Sequence, residues 1–308
     1  MSLIGFFIHL VSLLPFPLLH FVSDVTYVLV YHGLGYRKKT VRENLRRSFP
    51  EKSKIELLKI EKQFFRNFCD LMYETFKTSS MSKEEILDRC RLENPELAEQ
   101  LYAEGMNIAG ISSHMGNWEW LSPSFSVNSQ YKFLAVYKPL ANKKLNDIVI
   151  RSREKFGAIF VPIKRLKMIL SESHDRPYFV GLLSDQAPHD YAKAFELPFL
   201  NQSTFFVPGP GMLSVKSDLT PVYGWIRRVG RSRYVWRLEL LNEPIPALSD
   251  LNPQEQEQVK KFAAAHRLEE SDSIKALIIT RKLARSLEAE IKMAPQDWLW
   301  SHRRWKLR

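Results

Sequence analysis

Cysteine is nearly absent: Cys69 and Cys90 are the two in 308 residues. That excludes a disulfide-stapled scaffold and a four-cysteine zinc site. No Cys/His metal spacing occurs, and there is neither a Walker phosphate loop nor a Gly-x-Gly-x-x-Gly turn. A Gly-x-Ser-x-Gly elbow is also missing, which argues against an attacking serine on this chain. Repeats and low-complexity tracts are absent. With 45% hydrophobic and 26% charged residues, disorder, collagen and coiled coil are excluded as the main architecture. The length suits one large domain or two modest ones, either able to bury a sizeable core.

Positive charge is in excess: 45 Lys plus Arg against 34 Asp plus Glu, a net +11. The excess is local. Arg37, Lys38, Lys39, Arg42, Arg46 and Arg47 enclose one acid, Glu43. Arg227, Arg228, Arg231, Arg233 and Arg237 have no acid between them, and the last six residues hold Arg303, Arg304, Lys306 and Arg308. These stretches together exceed the net charge, so the rest of the chain is slightly acidic. Such clustering points to an anionic partner: a membrane surface, an acidic protein or nucleic acid.

The first cluster follows an apolar N-terminus. Residues 3–31 carry one formal charge, Asp24, and are broken by Pro15 and Pro17. No basic residue precedes Leu3 and no small-residue cleavage site follows, so the stretch reads poorly as a signal peptide. An apolar segment met at once by Arg37-Lys38-Lys39 predicts a retained membrane anchor over residues 1–36, its C-terminal side at the cytoplasmic face. Lying in the interface instead of spanning is the alternative. Residues 37–308 then form the main folded domain.

Within that domain, Ser53 opens a long helix over 53–78, with Ile55, Leu58, Phe65, Phe68 and Met72 at spacings near three or four. Asn94-Pro95 marks a helix entry running to Tyr102. Short apolar runs follow at 107–112, 132–137, 158–161, 178–183 and 221–226, most of them separated by helix-length segments such as 142–156 and 164–173. Residues 234–241 alternate as an edge or antiparallel strand. The stretch 252–272 reads as surface helix or loop, and 273–292 as helix. Strands alternating with helices predict an α/β fold with a sheet covered on both faces.

Chemistry in such sheets sits beyond the C-terminal ends of strands. There, Ser112-Ser113-His114-Met115-Gly116-Asn117-Trp118-Glu119 places an imidazole just past a strand and a carboxylate five residues on. Imidazole can take a hydroxyl proton near neutral pH, and a carboxylate can hold its tautomer. The spacing alone is weak, since eight His and acids at about one position in nine supply about one such match by chance. The competing reading is a core histidine at a helix cap. After a second strand, Ser184-Asp185-Gln186 has two readings, orienting a substrate or capping a turn.

Taken in order, His114-Met-Gly-Asn-Trp-Glu119, Val136-Tyr137-Lys138-Pro139, Ser184-Asp185-Gln186, Leu197-Pro198-Phe199 and Trp298-Leu-Trp-Ser-His302-Arg303-Arg304-Trp305-Lys306 resemble the late acyltransferases of lipid A biosynthesis. These belong to the wider lysophospholipid acyltransferase group. Arg42-Glu43-Asn44-Leu45 and Ser48-Phe49-Pro50 match the family's segment after its membrane anchor, so the likeness covers nearly the whole chain. Lys138 departs from the arginine usual there, making any phosphate or thioester contact monodentate at best.

The resemblance implies a glycerol-3-phosphate-acyltransferase-like fold, a central mixed sheet flanked by helices behind an N-terminal anchoring helix. It also implies acyl transfer from an acyl carrier protein or coenzyme A thioester to a hydroxyl of a lipid A precursor, at the cytoplasmic face of a bacterial inner membrane. His114 would be the general base, Glu119 its orienting partner, and Lys138, Asp185, Gln186, His302, Arg303 and Arg304 the substrate-binding residues. Backbone N–H groups beside His114 or Lys138 are the expected oxyanion donors. No metal, cofactor or covalent intermediate is required. Some of the 19 Phe, 7 Trp and 11 Tyr could line an acyl channel. The alternatives are another glycolipid, aminolipid or lysophospholipid acceptor, or a non-catalytic basic binder of anionic membranes. Nucleic acid is disfavoured, because Arg227–Arg237 with Tyr234 and Trp236 comes with no reader motif.

Overall fold

A computed structural model describes residues 3–139 and 143–305. Its apolar N-terminus is not one helix. α1 (Leu3–Leu13) stops before Pro15, α2 (Phe16–Tyr27) restarts with proline in its first turn, and a π-helical turn (Val28–Leu34) ends at left-handed Gly35. Among the described residues no helix is long and apolar enough to cross a membrane. The basic α3 (Lys38–Ser48) leads to α4 (Lys54–Lys77), whose start is a reciprocal cap between Ser53 and Glu56.

The α4 helix lies where the periodicity puts it, but it buries another face. Phe65 is fully buried and Phe68 partly so, whereas Ile55, Leu58 and Met72 are exposed. Glu61, Asp70 and Glu74 are buried instead, because cations and hydroxyls of distant segments reach them. Asp70 meets Arg228 and Arg231 at 2.8 and 2.7 Å, and Glu74 accepts from Ser232 and Tyr234, both at 2.8 Å.

After α5 (Lys83–Arg89) the strands and helices alternate: β1 (Cys90–Leu92), α6 (Pro95–Ala103), β2 (Ile108–Ser112), α7 (Leu121–Asn128), β3 (Lys132–Tyr137), α8 (Lys143–Glu154), β4 (Ile159–Pro162), α9 (Leu166–Leu170) and β5 (Tyr178–Leu183). Then come a hairpin of β6 (Phe195–Phe199) and β7 (Gln202–Phe206), α10 (Gly209–Lys216), β8 (Thr220–Gly230), β9 (Arg233–Leu240), α11 (Pro253–His266) and α12 (Glu270–Met293). Seven strands form one sheet in the order β1-β9-β8-β2-β5-β3-β4. Every pairing is parallel except β8 with β9, so the sheet is mixed, as expected. The antiparallel β9 is not the edge, since β1 covers it.

Helix α7 packs on one face through Phe125, which touches the Phe133 and Phe179 rings. On the other face Gly211 of α10 lies so close to the Ala276 backbone of α12 that a Cβ would fall 2.8 Å from it. Val11, Phe16 and Leu19 belong to the same continuous hydrophobic core as the sheet residues, so segments 1–36 and 37–308 share one core. The β6–β7 hairpin and the three-residue β1 had no sequence expectation. The hairpin turn is Leu200-Asn201 at φ 48° and 59°, a left-handed pair without the usual glycine.

Candidate active site

Parallel register brings the key side chains together. Ser112 of β2 stands opposite Leu183 of β5, and the Ser184 N–H continues the ladder by donating to the Ser112 carbonyl at 3.1 Å. Two residues past each strand end lie His114 and Asp185, an equal overhang that sets them side by side. His114 Nδ1 is 2.6 Å from Asp185 Oδ1. Asp185 Oδ2 accepts from the His114 backbone N–H at 3.1 Å and from the Trp298 indole at 2.8 Å. With Asp185 accepting, the proton belongs on Nδ1, and the Nε2 lone pair is left to accept from Gln186 Nε2 at 3.2 Å.

Burial favours a neutral His114, but the Asp185 charge and hydrogen bond, helped by Glu119, outweigh it and raise the His114 pKa above the ordinary value. Burial likewise pushes Asp185 upward, yet His114, Trp298 and the backbone N–H hold it down at about 2. The pair is a strengthened base with a carboxylate that stays ionised.

Glu119 is directed elsewhere. Gly116 turns the chain with φ 48°, and Asn117 caps the short 3₁₀ turn Trp118–Trp120 while donating to buried Glu74 at 2.7 Å. That turn carries Glu119 off the imidazole edge, and its carboxylate pairs with Arg153 of α8 at 2.5 Å. Asp185, not Glu119, therefore holds His114. Arg153 had drawn no notice in the sequence, where nothing local ties a helical arginine to a residue 34 positions earlier.

His114, Glu119, Lys138 and Arg153 line a cavity of about 440 Å³ whose other walls are mostly apolar. Its shape follows from rows of side chains across the sheet. Gly110, Gly181 and Ala135 are in register on β2, β5 and β3, making a trough of small residues. In the next row Phe179 and Phe133 stack at 5.2 Å and lean over the glycines: a Cβ on Gly110 would lie 1.8 Å from the Phe179 ring, and one on Gly181 2.6 Å from Phe133.

A polar dyad at the head of an apolar trough coincides with a match over residues 1–307 to the family model for bacterial lipid A biosynthesis acyltransferase. The chain belongs to that family. It is an acyltransferase of lipid A, and hence lipopolysaccharide, biosynthesis. Among curated proteins nothing matches the chain.

The remaining residues expected in this lipid A acyltransferase's site divide by position. Lys138 is exposed at the cavity rim. His302 Nε2 accepts from the Ala187 N–H at 3.3 Å, bracing the loop that carries Asp185 and Gln186. Arg304 is 2% exposed, donates to the Phe205 carbonyl at 2.6 Å and lies over the Phe206 ring, while burial lowers its pKa to about 10. Arg303 is exposed, and Lys306 and Arg308 lie outside the described residues. Thus His302 and Arg304 stand behind the dyad, not on the cavity wall.

Two expected arrangements are narrowed. Of the backbone donors beside His114, its own N–H is taken by Asp185 and that of Gly116 by the Asp297 carbonyl at 2.9 Å. The middle arginine cluster is partly engaged within the fold: Arg228 and Arg231 pair with buried Asp70, while exposed Arg227 and Arg233 pair with Glu93 and Asp88 and exposed Arg237 lies over Trp225. No group of three His, Cys, Asp or Glu among the described residues could hold a metal ion.

Proposed function

We propose that this acyltransferase moves a fatty acyl group from a thioester, on acyl carrier protein or coenzyme A, to a hydroxyl of a lipid A precursor. The reaction takes place at the cytoplasmic face of the bacterial inner membrane, with the N-terminal segment as the anchor. His114 Nε2 accepts the hydroxyl proton as the alcohol oxygen attacks the thioester carbonyl. The tetrahedral intermediate then collapses, and the proton goes from the imidazolium to the departing thiolate. Asp185 keeps the tautomer and stabilises the imidazolium. Arg153, placed by Glu119, and Lys138 supply positive charge for the oxyanion or for acceptor phosphates. The acyl chain lies along the Gly110–Gly181–Ala135 trough.

The 2.6 Å His114–Asp185 pair at the head of the apolar cavity carries this reading. The test is transfer of a labelled acyl group from acyl carrier protein or coenzyme A to a lipid A precursor. His114→Ala is expected to fold normally and to lose about 10²–10⁴-fold in rate. Full activity in a folded His114→Ala protein would overturn the assignment.

A further inference from the structure

The first 36 residues hold eleven of the 22 exposed large hydrophobic side chains of the described chain. They follow a helical stripe: Phe7 and Leu10 on α1, then Leu18, Phe21, Val25 and Leu29 along α2 and the π-helical turn. An exposed apolar surface of this extent marks an interaction face. Just beyond it come the exposed bases Arg37, Lys39 and Arg46, a combination that complements apolar acyl chains beneath anionic headgroups.

The inward side of the same segment joins the core through Val11, Phe16 and Leu19, and polar groups also tie the segment to the body. Ser23 donates to Asp70 at 2.7 Å, Thr26 and Tyr73 share a hydrogen bond of 2.7 Å, and Asp24 pairs with Arg231 at 2.8 Å. On the α1 side Lys77 donates to the Ser12 carbonyl at 2.9 Å. A crossing would need about 20 continuous apolar residues, and it would strip these bonds and put their polar groups into hydrocarbon. The segment is also next to the site. Phe16 meets Trp120 edge-on at 6.4 Å, and α8, which supplies Arg153, packs against α1.

We infer that α1, α2 and the π-helical turn lie in the plane of an anionic bilayer as a monotopic seat, with the apolar stripe sunk below the headgroups and no segment crossing. This deepens the proposed reaction, resting on it only for the membrane-borne acceptor.

The test uses the full-length chain with vesicles of equal parts phosphatidylglycerol and phosphatidylethanolamine. Nitroxides on single cysteines introduced at Phe7, Leu18, Val25 and Leu29 report depth, since native Cys69 and Cys90 are buried. All four are expected at one shallow level, about 5–10 Å below the headgroups. A profile with shallow ends and a centre about 15 Å deep would mean a spanning helix and overturn the inference.

Leu18→Asp with Phe21→Asp is expected to weaken vesicle flotation at least about tenfold while transfer to a detergent-dispersed acceptor is unchanged; Phe21→Leu retains flotation. Undiminished flotation of the double aspartate variant would also overturn it. Wild-type protein that floats with the shallow profile yet transfers no acyl group would sink the proposed reaction and leave the monotopic seat standing.

Discussion

At the residue scale the site is a contest between desolvation and pairing. Burial alone would leave His114 a weak base, and Asp185 reverses that by placing a full charge 2.6 Å from Nδ1. The proposed mechanism needs neutral Nε2, so the rate is expected to rise as pH climbs through the raised His114 pKa. Asp185→Asn removes the raising charge and leaves the burial, so the ascending limb of kcat/KM against pH moves to lower pH. The plateau falls about 10²-fold or more, because the tautomer is no longer held. An unmoved limb would show that Asp185 does not tune the base. Behind the dyad, Glu290 is buried against Tyr223, Ser113 and the Ile226 N–H, and desolvation raises its pKa to about 8. Between its unfolded value near 4.5 and about 8, the folded state binds a proton that the unfolded state has released. Stability from this group therefore falls as pH rises through that window. Tm measured from about pH 5 to 8 is expected to decline less steeply in Glu290→Gln than in the wild type. In the sequence, His114 was legible from its place after an apolar run, and Asp185 from a second such run. Their pairing was not, because it depends on β2 and β5 being neighbours in parallel register, whereas Glu119 is nearer only along the chain.

At the element scale, local signals located helices and strands well and their faces less well. The Ser53–Glu56 cap and Asn94-Pro95 mark true helix starts: the first is satisfied within its own few residues, and in the second Pro95 suits the first helical position while the Asn94 side chain bonds distant Leu238. The buried side of α4 escaped the apolar period because Glu61, Asp70 and Glu74 are inward, each satisfied from far along the chain. The β6–β7 hairpin escaped because Leu200 adopts a left-handed turn that glycine usually marks; Leu200 is itself buried, and its N–H donates to Glu288 at 3.0 Å. The trough makes the element-scale prediction. Gly181→Val places methyl groups where Phe133 now lies, so the preference among acyl-thioesters of graded length moves to shorter chains. Phe133→Leu shortens the wall residue and moves it to longer ones. Identical length profiles in both variants would remove the acyl chain from this trough.

At the scale of the molecule, the charge excess separates into structural and surface parts. Arg228 and Arg231 bind α2, α4 and the β8–β9 hairpin together through Asp70. Asp70→Ala leaves both guanidinium groups short of a partner, one of them buried, and is expected to cost about 3–5 kcal/mol in denaturant unfolding. A loss below about 1 kcal/mol would mean that the network relaxes around the gap. The first basic cluster remains largely on the surface beside the apolar stripe, and the described arginines of the third divide between buried Arg304 and exposed Arg303. The sequence by itself determined the α/β alternation, the strand ends that carry His114 and Asp185, and the family, because these rest on local periodicity and ordered motifs. Only the tertiary structure decided that Asp185 rather than Glu119 holds His114, that Arg228 and Arg231 bind buried Asp70, and that the apolar N-terminus is a broken helix pair fixed to the body. Each of these depends on which distant groups meet, and pairing across a sheet or into a buried carboxylate leaves no trace in the spacing of neighbours along the chain.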